Sequence, residues 1–115
     1  MGKFTAALLS EDNYINGHIT LCFCDAEKAG KFSTFPGKGI AHIVDVQYWE
    51  RVDLTVLIVD CTLANERHEY YKSLGYTYDY EFIPHISLGK GDLTSENQHL
   101  KGDRIVVGSE YARIY

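Results

Sequence analysis

Basic residues are scarce in this sequence. It contains 11 lysines and arginines against 16 aspartates and glutamates, which gives a formal net charge of −5 at pH 7. Proteins that bind duplex nucleic acid usually cover many phosphates with a basic surface. The composition therefore argues against a duplex partner. A small anionic ligand is still compatible with it, because a local cluster of donors can outweigh the net charge.

Long apolar runs are also missing, and we expect no export signal. No stretch approaches the roughly 20 apolar residues that span a bilayer, and the opening MGKFTAALLSED has only a short apolar run followed by acids. The three cysteines, an odd number, are therefore expected to be reduced and buried. We expect a cytoplasmic protein with no membrane partner, in the host cytoplasm if its source is viral. The sequence does not indicate the oligomeric state.

Linkers, low-complexity segments and long repeats are absent as well. A chain of 115 residues with 45% apolar residues fits one globular domain, residues 1–115. Period-two and turn patterns predict seven strands, at residues 4–9, 18–24, 40–50, 54–61, 85–88, 104–107 and 111–115. Helices are expected within residues 25–35, at 62–74 with Thr62 as its cap, and within 92–100. Strands outnumber helices without regular β-α alternation, which predicts an α+β domain with mainly antiparallel sheet.

Two of the expected strands carry the same short motif. His18 and Thr20 are separated by Ile19, and His85 and Ser87 are separated by Ile86; a leucine follows each motif. Because side chains alternate along a strand, the histidine and the hydroxyl of each motif share one face. The aliphatic neighbours can then anchor the opposite face in a core.

This pairing suits phosphodiester chemistry. One neutral imidazole can act as a general base while the other, as imidazolium, protonates the leaving oxygen. The hydroxyls can donate hydrogen bonds to the phosphate, and this chemistry requires no metal and no cofactor. A zinc site formed by His18, Cys22 and His85 is a weaker alternative, because it matches no usual ligand spacing and leaves the hydroxyls unexplained.

The segments GHITLCF and IPHISLGKG resemble the two signature motifs of the 2H phosphoesterase superfamily. The resemblance covers most of the chain. It implies a two-lobed, LigT-like α+β fold of mainly antiparallel sheets with few helices and a central cleft, and it implies catalytic roles for His18, Thr20, His85 and Ser87. Within the superfamily, FIPHISLGKGD and the compact length are most similar to the phage anti-CBASS enzymes, which cleave cyclic oligonucleotide immune signals.

Six further residues are candidates for substrate binding. Trp49, at a hairpin end, and Tyr14, in the loop before the first motif, could stack on a base; Tyr78 and Tyr80 precede the second motif. Lys90 lies between two glycines that would let backbone approach an anion. Glu110, near the start of the last strand, could orient a histidine or accept a ribose hydroxyl.

The sequence therefore predicts a metal-independent phosphodiesterase that cleaves 3′–5′ bonds of cyclic oligonucleotides by attack of the 2′-hydroxyl. An RNA 2′,3′-cyclic phosphodiesterase of RNA processing or repair is the first alternative. A nucleotide-binding sponge without turnover is the second. In each case the partner is a small cyclic nucleotide or an RNA end.

Overall fold

A computed structural model describes residues 2–12, 15–77 and 81–115. The strands are β1 (Lys3–Ser10), β2 (His18–Asp25), β3 (Gly39–Trp49), β4 (Leu54–Asp60), β5 (His85–Lys90) and β6 (Arg104–Ile114). The α-helices are α1 (Thr62–Ser73) and α2 (Thr94–Asn97), and the 3-10 turns are Ala26–Lys28, Glu50–Val52 and Gln98–Leu100. No helix among the described residues is long and apolar enough to cross a membrane.

All six strands form one sheet in the order β2-β1-β6-β3-β4-β5, and every neighbouring pair is antiparallel. The expected two-lobed fold is therefore wrong. The reason is the length of β6. Its residues 104–107 pair with β3 and its residues 107–114 pair with β1, so this one strand joins what would otherwise be two separate sheets.

The antiparallel pairing of the first two strands and the β3–β4 hairpin are confirmed. The two closing strands expected at the end of the chain are instead the single strand β6. Helix α1 begins as expected, but its cap is Cys61 and not Thr62: the Cys61 sulfur accepts a hydrogen bond from the Ala64 amide at 3.4 Å. Gly75, with φ of +81°, follows the helix, in the left-handed backbone region that favours glycine.

Apolar side chains from all six strands and from α1 pack into one core. The three cysteines belong to it as free, buried thiols, as expected. Burial raises the pKa of the Cys22 thiol to about 12, which keeps this thiol protonated and unreactive at neutral pH.

The described strands contain four register shifts, and the two in β2 and β6 decide which way the residues near the first motif and Glu110 face. In β2, Ala7 pairs with Thr20 and Ala6 pairs with Cys22, so Leu21 is an extra residue and both it and Cys22 turn into the core. In β6 the bulge lies at Ser109, whose φ is +48°. Beyond each bulge the alternation between core and outer face is shifted by one residue.

The bulge at Ser109 places Glu110 inside the molecule. Its side chain is fully buried and accepts hydrogen bonds from Arg67 Nε at 2.7 Å, from Arg67 Nη2 at 3.0 Å and from the Tyr71 hydroxyl at 2.7 Å. The bond to Glu110 raises the pKa of Arg67. Burial, and then the bond to Glu110, raises the pKa of Tyr71. This cluster holds α1 against β6.

We predict that Glu110→Ala lowers the free energy of unfolding by about 3–5 kcal/mol, because it removes the buried carboxylate that pairs with the Arg67 guanidinium, 15% exposed, and accepts from the buried Tyr71 hydroxyl. Urea unfolding measures the change. Glu11→Ala is the matched control, since Glu11 pairs with Lys38 at the surface and its loss should cost about 0–1 kcal/mol. Equal losses in the two variants would contradict a structural role for the buried cluster.

Candidate functional site

The two outermost strands of the sheet, β2 and β5, lie against each other, and we call this contact the seam. Gly17, immediately before β2, packs directly against β5. The φ of Gly17 is +153°, and a Cβ at this position would lie 2.6 Å from Cγ2 of the fully buried Ile86. Only glycine allows this backbone to approach so closely. The seam therefore depends on a residue that adjoins the first histidine motif.

Both motifs face outward along the seam. Ile19 and Ile86 are fully buried, whereas His18 and Ser87 are exposed and His85 is partly exposed. The expected division between an anchoring face and a projecting face is therefore confirmed for each motif. Edge strands separated by four others in the sheet thus present their polar side chains at one place.

The imidazole of His85 is held by two neighbours. Its Nδ1 lies 2.7 Å from the carbonyl oxygen of Ile83. Because a carbonyl only accepts, Nδ1 carries the hydrogen, and Nε2 is the nitrogen left to exchange a proton with a ligand. The ring of Trp49 packs on the imidazole with centroids 4.6 Å apart. The Trp49 indole N–H donates to Gln47 Oε1 at 3.1 Å, which fixes the indole in turn.

Two adjacent cavities open on the motifs. A cavity of about 230 Å³ is lined by Thr20 and His85, together with Trp49, Glu81, Phe82 and Ile83. A second cavity, of about 320 Å³, is lined by His18 and Thr20, together with Thr5, Ala7, Phe23, Tyr111, Arg113 and Tyr115. Thr20 lines both. The structure thus brings three of the four expected catalytic residues to two cavities that share a wall.

Other expected residues lie farther along the same face. Ser87 is exposed and pairs across the sheet with Val56. Lys90 pairs with Leu54, which in turn pairs with Trp49. Lys90 is five residues from His85 along β5, a distance of about 16 Å in an extended strand. Tyr14, with Tyr78 and Tyr80, falls outside the described residues, and its contact with a ligand stays a prediction.

A family model described as anti-CBASS protein Acb1 matches residues 15–113, which include both histidine motifs. The chain belongs to the Acb1 family of anti-CBASS proteins. Family membership indicates that the protein antagonises cyclic-oligonucleotide signals and that its ligand is such a nucleotide. No curated protein matches the chain.

In this Acb1-family protein, Glu110 and Cys22 lie in the core and away from the positions expected for them. Glu110 was expected at the substrate, but its carboxylate lies in the core and is bonded to Arg67 and Tyr71. Cys22, from the zinc alternative, is turned into the core by the bulge, on the face opposite to His18. The described residues contain no group of three or more His, Cys, Asp or Glu side chains placed to hold a metal ion.

The structure also adds neighbours that the sequence analysis missed. His68 of α1 is buried; its Nδ1 lies 2.7 Å from the Leu21 carbonyl, and its ring stacks on Phe82 at 3.9 Å with an interplanar angle of 2°. This histidine connects the bulge beside Thr20 to the segment that leads into β5. No local motif marks it. Tyr111 and Arg113 also line the cavity of His18. Unlike His68, they have a local signal, because their spacing of two residues in the last strand indicates a shared face.

We predict that Gly17→Ala destabilises the seam. It adds backbone strain of about 1–3 kcal/mol and a clash with Ile86 of about 1–3 kcal/mol. Gly102→Ala is the matched control, because Gly102 also has positive φ, of +90°, but has nothing within 4 Å of the added Cβ. Thermal or urea unfolding should rank Gly17→Ala clearly below Gly102→Ala. Equal stabilities would mean that the contact at the seam is loose.

Proposed function

We propose that this protein is a phosphodiesterase that cleaves the 3′–5′ linkages of cyclic oligonucleotide immune signals, as a single domain acting in the cytoplasm of a phage-infected cell. The observation that carries the proposal is the seam. It sets two outward-facing His-x-Ser/Thr motifs beside each other, with Thr20 shared between the cavity of His85 and the cavity of His18. We also propose that the chain is a member of the 2H superfamily. The two His-x-Ser/Thr motifs support this, whereas the single sheet differs from the two-lobed fold.

The proposed reaction uses the substrate's own nucleophile. One imidazole removes the proton from a ribose 2′-hydroxyl, whose oxygen attacks the adjacent phosphorus. The bond from phosphorus to the 5′-oxygen breaks, and the other imidazole donates a proton to that oxygen. The product is a linear nucleotide that ends in a 2′,3′-cyclic phosphate. The nucleophile is already held near phosphorus, so the step gains from proximity.

The geometry of His85 supports its part in proton transfer. The carbonyl of Ile83 keeps the hydrogen on Nδ1 in both the neutral and the charged imidazole. Proton exchange with the substrate therefore takes place at Nε2 in either direction. The packed ring of Trp49 restricts rotation of the imidazole, as a proton-transfer group requires.

The remaining groups supply binding. The Thr20 and Ser87 hydroxyls are donors for phosphate oxygens, which carry more negative charge in the transition state. Trp49 lines the His85 cavity and offers an aromatic surface for a base, an interaction worth about 1–3 kcal/mol. Lys90 follows on the same face and supplies a positive charge for a more distant part of the ligand.

We predict that His18→Ala and His85→Ala each reduce turnover of a cyclic dinucleotide by about 10²–10⁴-fold, the usual contribution of a general acid or base. His42→Ala is the matched control, because His42 is exposed on β3 and outside both motifs. Its rate should stay within a factor of about two of wild type. Chromatography of the products measures turnover, and circular dichroism checks the fold of each variant. A near-normal rate for either motif variant would remove that histidine from the mechanism.

A cyclic dinucleotide that lacks both 2′-hydroxyls should bind and resist cleavage, because the internal nucleophile is absent. The measurement is product formation with excess EDTA present, alongside the ribose form. Cleavage of the deoxy ring at the normal rate would require attack by water. Turnover restricted to simple 2′,3′-cyclic phosphates would favour the RNA-processing reaction, and intact ligand retained in stoichiometric amount would favour a sponge.

A further inference from the structure

The cavity beside His18 has a floor of small residues between taller walls. In one cross-strand row Phe23 of β2 lies opposite Thr5 of β1, which lies opposite Arg113 of β6. Residues directly opposite each other in an antiparallel sheet share a face. Phe23 and Arg113 therefore stand two strand spacings apart, about 10 Å, on either side of Thr5.

The neighbouring row repeats this arrangement. Thr20 lies opposite Ala7, and Ala7 lies opposite Tyr111. The small Ala7 side chain leaves the space between Thr20 and Tyr111 open. In the first row the Thr5 hydroxyl donates to the backbone carbonyl of Cys22 at 2.9 Å, so its hydrogen is directed to the bulge and not to the cavity. The result is a trough with the Thr20 hydroxyl, the Arg113 guanidinium and the aromatic rings of Phe23, Tyr111 and Tyr115 along its sides.

Among the described residues that line this trough, Arg113 is the one arginine, and no lysine is among them. Its guanidinium packs over the ring of Tyr115 at 5.0 Å, an orientation that leaves its N–H groups available. Within residues 2–12, 15–77 and 81–115, no carboxylate forms a salt bridge with Arg113. A guanidinium in this situation is suited to a phosphate, which it can bind through two parallel hydrogen bonds.

The bulge at Ser109 creates this arrangement. Without the extra residue, strict alternation from the buried Val107 would turn Glu110 outward and Tyr111 inward. With it, the acid lies in the core, and Tyr111 and Arg113 line the cavity that His18 also lines. The same backbone irregularity therefore removes a negative charge from the cavity and supplies a positive one.

We propose that this trough is a second nucleotide subsite, in which Arg113 binds a phosphate other than the one that is cleaved and Phe23 and Tyr111 hold the base attached to it. The inference rests on the proposed function for the position of the scissile phosphate, at the seam between His18 and His85. The trough shares His18 and Thr20 with that position, so the two phosphates belong to one ligand.

The subsite selects for ligand size. A ring of two or three nucleotides carries a phosphate on each, so it can occupy the seam and the trough together. A 2′,3′-cyclic mononucleotide has a single phosphate and can occupy only one of them. The protein should therefore prefer cyclic oligonucleotides to mononucleotides because of Arg113, with the catalytic histidines unchanged.

The test compares Arg113→Gln with Arg104→Gln on two ligands, cyclic di-adenosine monophosphate with two 3′–5′ linkages and 2′,3′-cyclic AMP. Arg104 is an exposed arginine of the same strand, nine residues away, about 30 Å along β6. We expect Arg113→Gln to lower kcat/KM for the dinucleotide by about 10- to 100-fold, mainly through KM, the usual effect of losing hydrogen bonds to a charged group. The mononucleotide should change by less than about three-fold, and Arg104→Gln should change neither. Arg113→Lys should recover part of the loss, since it restores charge without the two-pronged geometry.

Titration calorimetry with the same two ligands separates this inference from the proposed function. One outcome is that the wild-type protein binds the ring without cleaving it and that Arg113→Gln binds it more weakly. This outcome would support the subsite and reject the phosphodiesterase. Normal kcat/KM and affinity for the ring in Arg113→Gln, with cleavage intact, would reject the subsite alone. An equal loss on both ligands would also reject it, because Arg113 would then serve the shared phosphate. A wild-type protein that neither binds nor cleaves the ring would overturn both proposals.

Discussion

The contact between β2 and β5 is the constraint on which the site depends. These strands are the first and last in the sheet order, and only a strongly curved sheet can bring them together. Gly17 permits that contact, because any side chain there would collide with Ile86. The two histidine motifs lie 67 residues apart in the chain, and their proximity comes from sheet curvature and from this one glycine.

Helix α1 supports the seam from the core side. His68 accounts for two of its links, to the Leu21 carbonyl in β2 and to the Phe82 ring just before β5. Arg67, the preceding residue, is bonded to Glu110 of β6. Arg67 and His68, two consecutive residues of α1, thus contact three parts of the sheet. These are β6, β2 with the first motif, and the segment that leads into β5 with the second motif. The outward faces stay free for a ligand because the fixing contacts are made from inside.

The sequence predicted those parts of the fold that follow from local patterns. The alternation of apolar and polar residues predicted that His18 and His85 face outward. The short polar segment between β3 and β4 predicted that these two strands form a hairpin. The facing of Glu110 could not be predicted, because a bulge adds one residue and reverses every assignment beyond it. The single sheet was missed for a related reason: whether β6 pairs with one neighbour or two depends on long-range register. The contacts of His68 with Leu21 and Phe82 could not be predicted either, because no local sequence pattern distinguishes a buried histidine in a helix.

Charge distribution explains how a protein of net charge −5 can bind a polyanionic ligand. Several of its cations are already neutralised by carboxylates: Lys3 by Asp25, Lys38 by Glu11, Lys101 by Asp45 and Arg67 by Glu110. These pairs add little attraction at a distance, because the fields of two adjacent opposite charges largely cancel there and salt screens what remains. Arg113 differs from them in having an aromatic partner instead of an acid in the described part of the chain. Arg113 thus supplies a positive charge at the cavity of His18, and Lys90 supplies another on the face of His85. Two local charges of this kind suit a compact ring of phosphates. An extended nucleic acid strand would gain less from such local charges, since the net charge of the chain has the same sign as its phosphates.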